Sequence, residues 1–247
     1  MDTKKEEWFA TWFDTDYYHT LYQNRSEEEA QQFIANLLKF LKLEKGSKIL
    51  DLACGNGRHA RQIADAGYNT KGVDLSSNSI SIAKRKIGSR DNLSFDVQDM
   101  RESLNTKFDA VFNLFTSFGY FQDLKDNQKV INAIDTMLEK DGKFVIDFMN
   151  ASKVVRNLVP KESKHLDGLD FNITRRVENN IIIKNIEVID GQEKHNFQER
   201  VQAIHLEDFE NLFENSNLVV TQVYGDYELN QFDIADSNRL IIIGSKI

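Results

Sequence analysis

Ile49-Leu50-Asp51-Leu52-Ala53-Cys54-Gly55-Asn56-Gly57-Arg58-His59-Ala60 is the stretch around which the rest of the chain organises. A short apolar run, Lys48 to Ala53, reads as a strand. Two glycines one residue apart follow, and a helix carrying Ala60, Ile63 and Ala64 begins at once. Glycine at 55 and 57 lets the backbone turn sharply and lets a ligand approach without a Cβ in the way. The free N–H groups at the start of the helix favour an anionic ligand group. Gly55-x-Gly57-x-x-Ala60 also satisfies the dinucleotide fingerprint, so the glycine pattern alone leaves two ligand classes open.

On either side the same alternation continues. Upstream, residues 1–24 are rich in aromatics (Trp8, Phe9, Trp12, Phe13, Tyr17, Tyr18, Tyr22), and a helix starts at Ser26, where Ser26 and Glu29 form a capping-box pattern. Its apolar face is Ala30, Phe33, Ile34, Leu37, Leu38 and Leu41. Downstream come strands at 69–75, 93–97, 108–114 and 142–148. Helices bearing Ile80/Ala83/Ile87 and Val130/Ile131/Ile134/Met137 lie between them. This spacing predicts an α/β fold, a Rossmann-like parallel sheet with helices on both faces. After Asn150 the period changes to two, with runs at Phe171/Ile173, Ile182/Ile186/Val188 and Phe197/Val201/Ala203 separated by turns at Asn179-Asn180 and Asp190-Gly191. That predicts a small antiparallel β insert, followed by a last helix (Leu206, Phe209, Leu212, Phe213) and strands near 218–224 and 239–245.

Composition narrows the class. The 247 residues carry a net charge of −8, which disfavours a phosphate-tracking nucleic-acid binder. No apolar run reaches the length of a membrane span, and the start of the chain, Met1 to Glu7, is charged rather than apolar, so neither a membrane protein nor a secretory signal is expected. One cysteine, Cys54, leaves no disulfide framework and no cysteine-rich zinc site. These features predict a cytoplasmic globular protein.

Carboxylates at the strand ends separate the ligand classes. Asp51, just before the glycine turn, would repel a pyrophosphate and attract an ammonium group. S-adenosylmethionine offers an ammonium, a sulfonium and a carboxylate together. Asp74, ending the next strand in Gly72-Val73-Asp74-Leu75-Ser76, can accept from both hydroxyls of a ribose, a feature shared by nicotinamide and adenosylmethionine enzymes. Asp99 in Asp96-Val97-Gln98-Asp99-Met100 can accept from an adenine amino group, with Met100 packing on the ring. The strand starting at Phe108 should end beside the first strand at the switch point of the sheet, where open α/β sheets bind ligands.

With these motifs in place, the sequence resembles the class I S-adenosylmethionine-dependent methyltransferases, well over residues 45–150 and more loosely over the terminal helix and strand pair. Asp51-Leu-Ala-Cys-Gly-Asn-Gly is similar to the glycine-rich first motif of that family, Asp74 to its ribose-binding acid, and Asp99-Met100 to its adenine-side pair. The resemblance implies a seven-stranded sheet with an antiparallel last strand. It also implies a cofactor set of Asp51, Ala53, Gly55, Gly57, Arg58, Asp74, Leu75, Asp99, Met100 and Leu114. Residues 113–121 and the arm Tyr18-His19-Thr20-Leu21-Tyr22 look like those of small-molecule enzymes, the sugar and glycine N-methyltransferases, in which an N-terminal arm covers the cofactor. The Asn/Asp-Pro-Pro-Tyr/Phe motif of enzymes acting on nucleic-acid bases or glutamine is absent. The expected organisation is one methyltransferase domain: a helical arm or lid (1–45), a cofactor-binding core (46–150), the β insert (151–205) and a closing helix and strand pair (206–247).

Tyr18, Tyr22, His59 and Asn113 are the candidates for positioning substrate and methyl group. A plainer role stands beside several of these readings. Asp74 can cap the following helix through Ser76 or Asn78, Phe115, Phe118 and Phe121 can be core, the arm can be packing or lid, and Cys54 reads as a small buried residue. His19, His165, His195 and His205 have no companion at metal-ligand spacing, so no metal is expected. No general base is evident, which points toward an amine, a thiol or an acidic oxygen as acceptor. Expected partners are a small-molecule acceptor and at most a second copy of the chain, as monomer or homodimer, without nucleic acid or membrane. Two other readings stay open: a nicotinamide-dependent oxidoreductase on a similar fold, and a non-catalytic adenosylmethionine-binding protein acting by association.

Overall fold

The computed structural model describes residues 7–24, 26–121 and 123–247. Residues 1–6, on which the expectation about a secretory signal rests, lie outside the described residues, as does the very start of the aromatic arm.

Two short helices, α1 (Trp8–Trp12) and α2 (Asp16–Leu21), make up the arm, and α3 (Glu27–Leu41) follows. Ser26 caps α3 by accepting from the Glu29 backbone N–H, but its own hydroxyl donates to Glu28, so the box predicted with the Glu29 side chain is only half formed. The alternating part then runs β1 (Lys48–Leu52), α4 (Arg58–Asp65), β2 (Asn69–Asp74), α5 (Ser77–Ile87), β3 (Leu93–Val97), β4 (Phe108–Asn113), α6 (Leu124–Met137) and β5 (Leu138–Met149). After α7 (Ala151–Arg156) come β6 (Lys161–Leu166), β7 (Leu169–Glu178), β8 (Ile181–Asp190) and β9 (Glu193–Gln202). The chain closes with α8 (Leu206–Phe213), β10 (Leu218–Tyr224) and β11 (Arg239–Lys246).

The main sheet has seven strands in the order β10-β11-β5-β4-β1-β2-β3, and β11 runs antiparallel to both of its neighbours. Alternate residues of each strand serve opposite cores. Leu50, Leu52, Val111, Phe144 and Ile146 pack with α6 and α8, while Ile49, Ala110, Phe112, Val145 and Ile243 pack with α3 and Ile63 of α4. A strand buried on both faces reads as an unbroken apolar run, as in Ile241-Ile242-Ile243. The order reverses between β1 and β4, which opens a crevice at their C-terminal ends.

The antiparallel insert is larger than the sequence suggested. Four strands pair in the order β6-β7-β8-β9. β6 escaped notice because Lys161-Glu162-Ser163-Lys164-His165-Leu166 has no apolar alternation; it is a charged edge strand, a composition that blocks further pairing. Helix α7, six residues capped by Asn150, was also missed. The turn expected at Asp190-Gly191 lies one residue later, because Asp190 still pairs with Glu193. Asn179-Asn180 forms the expected turn, both residues having positive φ. The inner face of this sheet, Phe171, Ile173, Ile186 and Val188, packs on Trp12 and Leu21 of the arm.

An ion pair closes the crevice side of β5 and β11. Arg239 Nε donates to Asp147 Oδ1 at 2.7 Å, Tyr227 donates to Asp147 Oδ2, and the Phe115 backbone N–H donates to the same oxygen at 2.9 Å. Phe115 and Thr116 are consecutive left-handed residues, φ 67° and 60°, and Arg239 also donates to the Thr116 hydroxyl. Such backbone costs about 1–3 kcal/mol per residue and persists only where its surroundings enforce it. Arg239→Ala should therefore destabilise the protein by about 3 kcal/mol, because it leaves the Asp147 carboxylate buried without its counter-charge. Urea unfolding checks this, and a loss no larger than that of an exposed ion pair would contradict it.

Candidate functional site

A cavity of about 370 Å³ lies in the crevice, floored by the ends of β1, β2 and β4 and roofed by the arm. That volume suits a small-molecule ligand. The loop after β1 is shaped by Ala53, Gly55 and Gly57, all with positive φ. The two glycines do different work. A Cβ on Gly55 would meet nothing within 4 Å, so its bare face opens to the cavity, whereas a Cβ on Gly57 would strike the Phe95 ring at 2.7 Å. Gly57 is therefore a packing requirement, whereas Gly55 leaves open space on the cavity side.

Two carboxylates stand under this loop. Asp51 is only 1% exposed, and among the described residues its Oδ2 has no hydrogen-bond partner. Burial, reinforced by Asp74, pushes its pKa up to about 7 against the pull of the Ala60 backbone N–H and of Arg58. Asp74 accepts from the Gly55 N–H at 2.8 Å and from the Ser76 N–H at 2.9 Å. Burial also raises its pKa, and those N–H groups resist the rise. An orphaned carboxylate oxygen beside a second acid suits a cationic ligand group, so the donor set fits the ammonium and ribose of S-adenosylmethionine.

Most of the residues singled out from sequence meet at this cavity: Tyr18, Tyr22, Ala53, Gly55, Arg58, His59, Asp74, Leu75, Asp99, Met100 and Leu114. Asp51, Gly57 and Asn113 do not form its wall. The expectation that Asn113 positions substrate needs correction. Asn113 is fully buried, and its amide donates to the Leu52 carbonyl at 2.9 Å, tying the end of β4 to β1 behind Met100. The plainer reading of the phenylalanines holds for Phe118, which packs on Phe209, but Phe115 and Phe121 reach the wall. Phe115 lies between the guanidinium groups of Arg58 (5.1 Å) and Arg239 (5.8 Å). Cys54 is buried, and its thiol pKa is pushed up by burial and by the two carboxylates, as expected of an inert side chain. His165, His195 and His205 do not line the cavity. Among the described residues, no group of three His, Cys, Asp or Glu is placed to hold a metal ion.

The arm proves to be packing and wall at once. Phe9, Phe13, Tyr18, His19 and Tyr22 line the cavity while Trp12 is buried against the small sheet. Two ties that the sequence did not reveal hold it down. Asp14 accepts from the Ser76 hydroxyl and the Asn78 N–H, so Asp14, not Asp74, satisfies Asn78. Arg101 bridges Glu7 of the arm to Asp99 and Asp126, and both Asp99 oxygens accept from it. The Asp99-x-Arg101 spacing was the only available hint. Tyr22 lines the cavity with its hydroxyl held from the small sheet, donating to Glu199 at 2.7 Å and accepting from Lys184.

Two outcomes follow from these carboxylates. Asp51 holds its proton in the folded protein between the ordinary 3.8 and about 7, where the unfolded chain has lost it. Stability should therefore fall as pH rises through that window, by up to a few kcal/mol. Asp51→Asn should flatten the fall in a melting series, and an unchanged slope would contradict the assignment. Asp74→Ala should weaken S-adenosylmethionine binding by about 1–3 kcal/mol, the scale of charge-assisted hydrogen bonds. Calorimetry that finds the affinity unchanged would leave Asp74 with only its turn-forming role.

A family model described as a methyltransferase domain matches residues 43–203. The dTDP-3-amino-3,4,6-trideoxy-alpha-D-glucopyranose N,N-dimethyltransferase of Streptomyces venezuelae is 28% identical over 134 residues, 53% of this chain and 55% of that enzyme. The glycine N-methyltransferase of Homo sapiens is 25% identical over 182 residues, 67% of this chain and 61% of that enzyme. The chain thus spans about half to three fifths of the length of the curated relatives it matches. Among solved structures, an S-adenosylmethionine-dependent methyltransferase from Clostridium acetobutylicum ATCC 824 shares the fold, with a TM-score of 0.79 at 21% identity over 93% of this chain and 96% of that one. With the glycine loop, both strand-end carboxylates and the whole small sheet inside the matched region, the chain belongs to the methyltransferase domain family.

Proposed function

We propose that this protein transfers the methyl group of S-adenosylmethionine to an amino group of a small molecule. The observation that carries the reading is the buried, unsatisfied Asp51 carboxylate beneath an open glycine loop, next to Asp74 at the switch point of the sheet. In this reading Asp74 holds the ribose hydroxyls. Ala53, Gly55 and Arg58 border the methionyl part, with Asp51 balancing its ammonium charge from below. Asp99, Met100, Leu75 and Leu114 enclose the adenosine. When bound, the cofactor supplies a methyl group already activated by a sulfonium. The chain contributes orientation and a dry site: Phe9, Phe13, Tyr18 and Tyr22 shut water out above it.

An amine is favoured as acceptor because the relatives named above are N-methyltransferases by name, acting on a nucleotide-linked amino sugar and on glycine. The setting would be cytoplasmic, where a lone thiol such as Cys54 stays reduced, and the working form a monomer or homodimer. No helix among the described residues is long and apolar enough to cross a membrane. A pyrophosphate beside Asp51 and Asp74 would meet two buried acids, which disfavours the nicotinamide reading.

The test is incubation with methyl-labelled S-adenosylmethionine and a panel of dTDP-amino sugars, glycine, sarcosine and matched hydroxyl analogues. The expected result is label on nitrogen of one amine class. Label on oxygen alone would overturn the amine assignment. NADH binding without adenosylmethionine binding would overturn the function altogether.

A further inference from the structure

The face of the small sheet that meets the arm is apolar at its centre, through Phe171, Ile173, Ile186, Val188 and Phe197, with a charged row beside it. Arg175 of β7, Lys184 of β8 and Glu199 of β9 stand side by side there, next to rows of Ile173, Ile186 and Phe197. Lys184 and Glu199 are each 12% exposed and face one another at 3.5 Å. Burying an ion pair seldom stabilises more than a well-packed apolar pair would, so charges kept here call for another reason. Their contacts lead to the cavity. Lys184 Nζ donates to Tyr22 Oη and stands 4.6 Å from the centre of its ring. Tyr22 Oη donates to Glu199 Oε1 at 2.7 Å, and Trp12 Nε1 donates to the same oxygen at 2.8 Å. Tyr22 lines the cavity, while Lys184 and Glu199 lie behind it.

We infer that Tyr22 and Glu199 form a proton relay that takes the proton from the acceptor amine. The inference rests on the amine reading above. An amine that enters as ammonium has no lone pair to offer, and the hydrogen-bond direction Lys184→Tyr22→Glu199 supplies an exit for its proton. The acceptor N–H bond breaks with its electron pair left on nitrogen, and the proton joins Tyr22 Oη. The phenolic O–H breaks in turn, and its proton joins Glu199 Oε1. Charge is conserved, because the acceptor loses one positive charge and Glu199 one negative charge. Lys184 keeps its proton and holds electron density on Oη throughout. Among the described residues, the charged groups around the Lys184–Glu199 pair are Arg175 and Lys164, both of which are paired with Glu162. From the arm Glu199 faces Tyr22 and Trp12. Burial lowers the Lys184 pKa and Glu199 opposes that shift, so the pair is held in tension next to the phenol. Tyr22 is the group that meets the acceptor; Glu199 acts through it, and Lys184 orients it.

Glu199→Gln isolates the relay, because glutamine still accepts from Trp12 and Tyr22 but takes up no proton. The experiment is the pH profile of kcat/KM for wild type, Glu199→Gln and His19→Gln, with whichever of glycine, sarcosine and the dTDP-amino sugars is methylated. Cofactor affinity and melting temperature are measured alongside. Glu199→Gln should lose about 10²-fold at neutral pH and recover as the free amine deprotonates in solution. Its cofactor affinity should stay unchanged. A loss equal at all pH values, no loss, or a pH limb abolished by His19→Gln instead would each overturn the relay. A second readout needs no acceptor. With S-adenosylhomocysteine bound, tyrosinate absorbance should appear at lower pH in Glu199→Gln than in wild type, because the phenolate then sits beside Lys184 with no neighbouring carboxylate to repel it. The signal should vanish when Tyr22→Phe is added, and its absence from Glu199→Gln would contradict the coupling. If wild type methylates no amine at any pH, the amine reading fails, which is a different result from an unchanged profile in the variant.

Discussion

Two acids, Asp51 and Asp74, end adjacent parallel strands, and their carboxylates are taken out of water within one short loop. Among the described residues neither forms an ion pair, although Arg58 acts on Asp51 from a distance. Asp74 is held by backbone N–H groups and Asp51 keeps an unsatisfied oxygen. Removing charge from water without a partner costs several kcal/mol, and the cost is met in part by Asp51 retaining its proton up to about pH 7. Sheet order, glycine loop and helix α4 all serve to hold these groups in place. A cationic ligand lowers the cost and a polyanion raises it. The local physics thus selects the ligand class before any detailed fit is considered.

Around that centre the structure is built from connections between distant parts of the chain. Two of the polar points at which the arm touches the core are Asp14 on the start of α5 and Glu7 on Arg101, and the arm rests on the small sheet through Trp12 and Leu21. Each polar tie lies next to a carboxylate of the cavity, Asp74 for the first and Asp99 for the second. Opposite, the Asp147–Arg239 pair fixes the left-handed turn that presents Phe115. The insert is thereby part of the site: it seats the arm, and through Glu199 it fixes the Tyr22 hydroxyl.

What could be read from the sequence were the features with short range. The parallel sheet, its helices and the switch point follow from apolar period and glycine placement, and the cavity wall gathers Ala53, Gly55, Asp74 and Met100 as their motifs suggest. Asn113 was misplaced because a buried asparagine bonding across strands looks the same in sequence as one facing a ligand. Strand β6 was missed because an edge strand carries charges where a central one carries apolar residues. Asp14, Lys184 and Glu199 were invisible for a different reason. Their partners lie from 62 to 177 positions away for Asp14–Ser76 and Tyr22–Glu199, and no local pattern marks such pairs.

The central claim is that buried acid at the glycine loop awaits a cation. Calorimetric titration with S-adenosylmethionine, in two buffers of different ionisation heat at a pH just below 7, tests it most directly. Binding should release about half a proton at that pH as Asp51 ionises against the ligand's ammonium, and Asp51→Asn should abolish that release. Binding with no change in protonation, or proton release undiminished in Asp51→Asn, would contradict the account.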